Sequence, residues 1–206
     1  MKTAVLMLAV LTFSAPIAAH AGGVVTESKG ETFIVRNGKY LPAHVGMKVK
    51  KDDVVKTGPA SQMDFSVNDQ GGVRLLGPTE LGVASTKKQD TQVDLRVGNI
   101  IVNLKEKLKG AKFQVQTPAA VLAVRGTQFW GREEQKSDKN VTTFAVRRGT
   151  VEVTDKATGE SFTMEKGEAI DLSIEAGAAH SRKALAAEMG AMAQADEIRT
   201  SGAPAF

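Results

Sequence analysis

From Thr32 to Leu172 apolar residues alternate with polar ones or form short runs, and glycine, proline, asparagine or aspartate interrupts them roughly every ten residues. This is the pattern of many short β-strands. Phe33-Ile34-Val35 and Tyr40-Leu41 flank Asn37-Gly38, a pair that accepts the positive φ angles of a two-residue hairpin turn. Met63, Phe65 and Val67 alternate before a polar turn at residues 68–72; Val73 and Leu75 precede Gly77-Pro78, and Leu81 and Val83 follow it. Val93, Leu95 and Val97 lead to Gly98 and a strand over Ile100–Leu104, while Phe113 and Val115 lead to Thr117-Pro118. The unbroken apolar run Val121–Val124 predicts a strand covered on both faces. Gly131 to Asn140 is polar throughout and predicts an exposed loop, after which alternation resumes through Val146, Val153, Phe162 and Leu172.

Three segments, Gly72-Val-Arg-Leu75, Gly98-Asn-Ile-Ile-Val102 and Gly149-Thr-Val-Glu-Val153, share a leading glycine and branched residues behind it. They suggest an all-β fold of β-solenoid type, with a β-sandwich as the alternative. Beyond Leu172 the composition changes. Alanine dominates from Ala176 to Ala195, no β-branched residue stands between Glu175 and Glu197, and Leu185, Met189 and Met192 lie at helical spacing. The expectation is one β domain over residues 22–172 and an alanine-rich helical segment over 173–206.

Residues 1–21 read as a secretory signal: Lys2, an apolar run from Ala4 to Phe13, then Ala19-His20-Ala21 with cleavage after Ala21. That run is too short for a spanning helix, so the protein is expected in the periplasm or secreted, without a membrane span. There is no cysteine, which removes disulfides, thiolate metal sites, a thiol nucleophile and the attachment point of a lipoprotein. The excess of 27 basic over 23 acidic residues is small and dispersed, a solvated surface with some attraction for anionic polymers.

Candidate chemistry is sparse. His44 and His180 stand far apart in sequence, outside any zinc-binding spacing, and no metal or cofactor is expected. Gly72–Gly77 has the glycine spacing of a phosphate loop but Pro78-Thr79 where the binding residues are needed. Asp52-Asp53 is a carboxylate pair in a lysine-flanked turn. One tryptophan, one tyrosine and no basic stripe with interleaved aromatics argue against nucleic acid. Arg125, placed in an apolar run and followed by Gly126-Thr127, is the strongest candidate. Either neighbouring strands hold its guanidinium inside and fix the register, with Gly126 in a bulge, or the fork is offered to a partner's carboxylate or backbone. Trp130 either caps the core or forms an exposed platform for a sugar or peptide. The candidate binding residues are therefore Arg125, Gly126, Thr127 and Trp130, with no catalytic residue.

The stretch Thr117-Pro-Ala-Ala-Val-Leu-Ala-Val-Arg-Gly-Thr-Gln-Phe129 resembles the signature of the FecR-type domain. Weaker likenesses, Lys51–Gly58, Leu75–Leu81, Arg148-Gly149 and Glu165–Glu168, extend it over roughly Val45 to Asp171. The resemblance implies a non-enzymatic all-β module of the bacterial envelope. The best-known members are transmembrane regulators that take a signal from an outer-membrane transporter and control a sigma factor. This chain shows neither an anti-sigma region nor an internal span, so what carries over is an exported interaction module for signalling or scaffolding, with an envelope protein as partner. The alternatives are a cell-wall polysaccharide-binding protein and, behind it, a hydrolase on a β scaffold.

Overall fold

The computed structural model describes residues 22–68, 70–87, 89–105, 111–136, 139–173 and 179–199. The expected signal and its cleavage point lie outside them. One sheet carries all the strands among the described residues, and the chain lays it down as two wings. The first wing contains β1 (Gly23–Lys29), β4 (Lys48–Val49), β6 (Gln62–Val67), β11 (Gln128–Lys136), β12 (Lys139–Arg148), β15 (Glu168–Ser173) and β16 (His180–Lys183). The second contains β2 (Thr32–Arg36), β3 (Lys39–Pro42), β5 (Val54–Thr57), β9 (Lys112–Gln116), β10 (Ala120–Val124), β13 (Val151–Asp155) and β14 (Ser161–Met164). A long hairpin, β7 (Gly71–Lys87) and β8 (Asp90–Leu104), belongs to both. Residues 71–76 of β7 pair with β6 and with the end of β8; residues 79–82 pair with β5 and with the start of β8. β8 and β9 run parallel, whereas the other ladders among the described residues are antiparallel.

Glycine makes the hairpin bend. Gly98 has φ +101°, and a Cβ there would collide with the Thr79 hydroxyl and the Pro78 carbonyl; a Cβ on Gly77 would collide with the Gly58 carbonyl. The separate strands read on either side of Gly77-Pro78 and of Gly98 are thus single bent strands, and Val97, half exposed, marks the corner. The Asn37-Gly38 hairpin forms as expected, both residues at positive φ, with Arg36 opposite Lys39.

Bending brings the inner faces of the wings together over one core. Val25, Phe65, Leu75 and Phe144 come from the first wing and Ile34, Val55, Phe113 and Leu122 from the second, each no more than 2% exposed. Each such side chain contributes about 1.5–3 kcal/mol, and no disulfide is available to help. The architecture is all-β with one short C-terminal helix.

A polar chain crosses this core. Thr117, which opens the signature, accepts the Ala120 amide at 3.0 Å and meets the Thr142 hydroxyl of β12 at 2.8 Å, and Thr142 donates to Glu133 of β11. Glu133 is 2% exposed and its Oε1 has no partner among the described residues. Burial pushes its carboxyl above the usual range, against the pull of the Thr142 hydrogen bond. A raised folded-state pKa contributes stability that is complete below the unfolded value and is lost as pH rises through the folded one. Glu133→Gln is therefore expected to raise the unfolding free energy near pH 7 by about 1 kcal/mol, with the difference shrinking as pH falls towards 4, a trend that urea melts at several pH values would read.

Three expectations are corrected. The described residues of the 131–140 stretch are not a loop: β11 and β12 pair in register from Gln128 opposite Arg148 to Lys136 opposite Lys139, and the buried Glu133 is tolerated because Thr142 of the facing strand donates to it. Val121–Val124 is fully covered on one face only, since Leu122 and Val124 enter the core while Val121 and Ala123 are only partly buried on the other side. The described part of the C-terminal segment is not one long helix. His180–Lys183 joins the sheet as β16, because an open edge ladder beside β15 outweighs local propensity, and the helix α1 runs only over Ala186–Met192 before a 3-10 turn, Ala193–Glu197.

Candidate functional site

The two outer faces differ. On the first wing one row runs in register from Glu27 through Asp64, Arg74, Ile101 and Trp130 to Arg182, and residues 185–199 lie across it as a strap. Met192, Ala195 and Ile198 of the strap are buried against Ile101, Trp130, Ala145 and Ala169. On the second wing the corresponding row runs from Tyr40 through Val54, Asp94, Gln116 and Val121 to Ser161. No helix covers it among the described residues. Its concave end is a groove of about 870 Å³ whose outward side chains are Lys112, Gln114, Ala123, Arg125, Glu152 and Thr163.

Arg125 stands at the rim of this groove where the chain leaves β10 for β11, that is, where it crosses from the second wing to the first. Gly126 takes φ +63° to make the crossing, and the Thr127 carbonyl accepts the Leu104 amide at 2.9 Å. The return crossing, from β12 to β13, uses the same tripeptide: Arg148-Gly149-Thr150, with Gly149 at φ +84°. The two crossings touch, for a Cβ on Gly149 would lie 2.7 Å from the Thr127 methyl. The repeated Arg-Gly-Thr marks paired corners in the sequence, and the glycine-led likeness of residues 98–102 and 149–153 reflects a positive-φ glycine at a passage between the wings, within β8 at Gly98 and ahead of β13 at Gly149. Arg148 is held to the Leu104 carbonyl at 3.3 Å, whereas Arg125 is exposed and makes no hydrogen bond or ion pair among the described residues.

Of the four candidate residues, then, one offers its side chain to solvent. Gly126 and Thr127 are buried, and Trp130 is 7% exposed beneath the strap, where it caps a small apolar cluster and forms no open platform. A buried, internally paired arginine, one of the two readings of position 125, stands instead at Arg74, 2% exposed. Its guanidinium grips Asp64 with two hydrogen bonds of 2.8 Å and reaches Gln194 and Glu197 at 3.2 Å and Glu27 at 3.3 Å. Burial raises the Asp64 carboxyl, while Lys29 holds Glu27 below the usual range. Alternation of Asp64 between Met63 and Phe65 and of Arg74 between Val73 and Leu75 was the available signal: both are polar positions flanked by core residues on strands joined by a short turn.

Asp53 of the Asp52-Asp53 pair is 1% exposed, clasped by Arg36 through two 2.7 Å hydrogen bonds, and serves structure. Burial opposes the ionised form of Glu80, yet Lys56 and Arg96 hold its carboxyl low. Among the described residues no cluster of three histidines or carboxylates could hold a metal ion, and no helix is long and apolar enough to cross a membrane.

Residues 53–152 match the family described as FecR protein. This chain carries a FecR-type domain. The match begins in the turn before β5 and ends in β13, so it takes in the bent hairpin, the signature strand, both Arg-Gly-Thr crossings and the lining of the groove except Thr163. Two crystal structures of a protein provisionally described as an anti-sigma factor, from Parabacteroides distasonis ATCC 8503, share the fold. Each aligns with a TM-score of 0.57 at 20% identity, over 68% of this chain and 64% of the other. Less than two thirds of that protein's length is therefore represented, and the likeness is one of fold. No curated protein matches the sequence.

Proposed function

We propose that this protein is an exported, non-enzymatic recognition module of the bacterial envelope, acting in signalling through a protein partner that binds the open face of the second wing. One observation carries the reading: Arg125, in the signature of the FecR-type domain, is exposed and unpaired at the rim of a ligand-sized groove. A free guanidinium beside Lys112 favours a partner segment that presents a carboxylate or backbone carbonyls. The regulatory sense rests on the family and on the fold neighbour described as an anti-sigma factor. The wall-polysaccharide alternative draws little support, since its aromatic platform, Trp130, is buried. The hydrolase alternative finds no histidine lining the groove and Glu152 as its one carboxylate. Antiparallel ladders in a sheet folded over one core favour the sandwich alternative above stacked solenoid coils.

A photo-crosslinking residue at Thr163 in the full chain, expressed in the native cell, should yield a discrete crosslinked protein. Arg125→Glu should abolish that product. Arg125→Met should leave the unfolding free energy within about 0.5 kcal/mol, as for an exposed side chain without partners. No product from Thr163, or a product indifferent to Arg125→Glu, would remove the proposal.

A further inference from the structure

The strap differs from the rest of the molecule in how it is held. Its helix has seven residues with Gly190 among them, and its N-cap is Leu185, which has no side-chain oxygen to offer and is 57% exposed. So short a helix is unstable in isolation and depends on the surface beneath it. That surface is an apolar stripe, Ile101, Trp130, Ala145 and Ala169, bracketed by arginines. Each arginine meets an acid of the strap: Arg182 pairs with Glu188 at 2.6 Å, Arg147 with Asp196 at 2.8 Å and Arg74 with Glu197 at 3.2 Å. Asn103 and Gln128 add hydrogen bonds to the Ala195 carbonyl and the Asp196 carboxylate at 2.9 and 2.8 Å. The receiving face is built for a helix with an acidic edge and a small-residue seam.

Its present occupant fills that face weakly. Met192 and Ile198 are the large apolar side chains it buries, and the side chains of Asp196 and Glu197 are 62% and 69% exposed, so solvent screens two of the three ion pairs. Tethering gives the strap a high effective concentration, which is what a competing helix must overcome, and a longer helix with bulkier apolar residues has the means.

We propose that the face beneath the strap is a docking surface for an acidic amphipathic helix of a partner protein, which binds there in place of residues 185–199. This surface lies on the opposite wing from Arg125 and stands or falls independently of the reading given to the groove.

The single tryptophan reports on it directly. The full chain and its Asp196→Asn/Glu197→Gln variant are titrated with a fluorescent synthetic peptide of residues 185–199, while Trp130 emission, sheet circular dichroism and light scattering are recorded. Loosening two screened ion pairs raises the open population, and the peptide is expected to bind the variant about tenfold more tightly than the wild type. Trp130 emission should move to longer wavelength in the free variant and return on binding, with the sheet spectrum unchanged. A peptide bearing the same two substitutions should bind more weakly. Equal binding to both proteins, an unmoved Trp130 emission, or a variant that dimerises by exchanging straps would each overturn the assignment.

Discussion

Replacing Arg74 with methionine is expected to lower the unfolding free energy by about 3–5 kcal/mol, the loss that follows when one member of a buried ion pair is removed. Asp64 is 2% exposed and would lose the two 2.8 Å hydrogen bonds that now satisfy it, so the fold bears the cost of a buried carboxyl that is either ionised without a partner or forced to take up a proton. Glu27 and Glu197 also lose a partner, but water reaches both, so they add little. Removing the charge as well reverses the sign of the argument. Arg74→Met/Asp64→Leu should recover most of the loss, because the uncompensated carboxylate, more than the missing attraction, is what destabilises the single variant. Guanidinium chloride melts of the wild type, both single variants and the double variant complete the cycle. A single-variant loss below about 1 kcal/mol would show that the row from Glu27 to Trp130 does not depend on this clasp.

Gly98→Ala is expected to cost about 3–4 kcal/mol, more than its conformational strain alone. Gly98 at φ +101° sits where the hairpin passes from one wing to the other, and the new methyl would strike the Thr79 hydroxyl and the Pro78 carbonyl. Thr79 cannot easily give way, since its hydroxyl accepts the Asn99 amide at 2.8 Å and donates to the Leu76 carbonyl. Gly38→Ala provides the matched control. Its φ is +75° and a Cβ there meets nothing within 4 Å, so it should cost only the left-handed penalty of about 1–2 kcal/mol. Equal losses at the two positions would mean that the corner relaxes freely and that the wings are not held by contact at Gly98.

Much of the strand content could be read from alternation, because a half-buried strand must place its apolar residues two apart. Phe113 with Val115, Met63 with Phe65 and the Asn37-Gly38 hairpin all lie where period and turn chemistry put them. Errors arose where a neighbour distant in sequence set the environment. The polar residues of β11 looked like loop because pairing with β8 and β12 is not a local property. Alanine and the lack of branched residues predicted helix at His180–Lys183, where the edge of β15 imposed a strand. The apolar run at Val121 and Ala123 predicts full coverage, while the structure leaves both side chains only partly buried on the outer face, Ala123 among the residues that line the groove.

The candidate site shows the same division. The signature pointed to Arg125, and the structure places that residue at an accessible rim; it cannot be inferred from spacing that Trp130, five residues later, lies under the strap on the far face. Gly126, at φ +63°, turns the chain from one wing to the other between them.

By itself, then, the amino-acid order determined the local alphabet of this protein: short strands, glycine corners, a cysteine-free core and a FecR-type signature, all governed by interactions within a few residues. Which arginine is buried and which is free, which outer face is covered and which is open, and where the two Arg-Gly-Thr corners meet were decided only by tertiary structure. Burial and charge pairing depend on which strands become neighbours, and that is settled by how the sheet folds over its core.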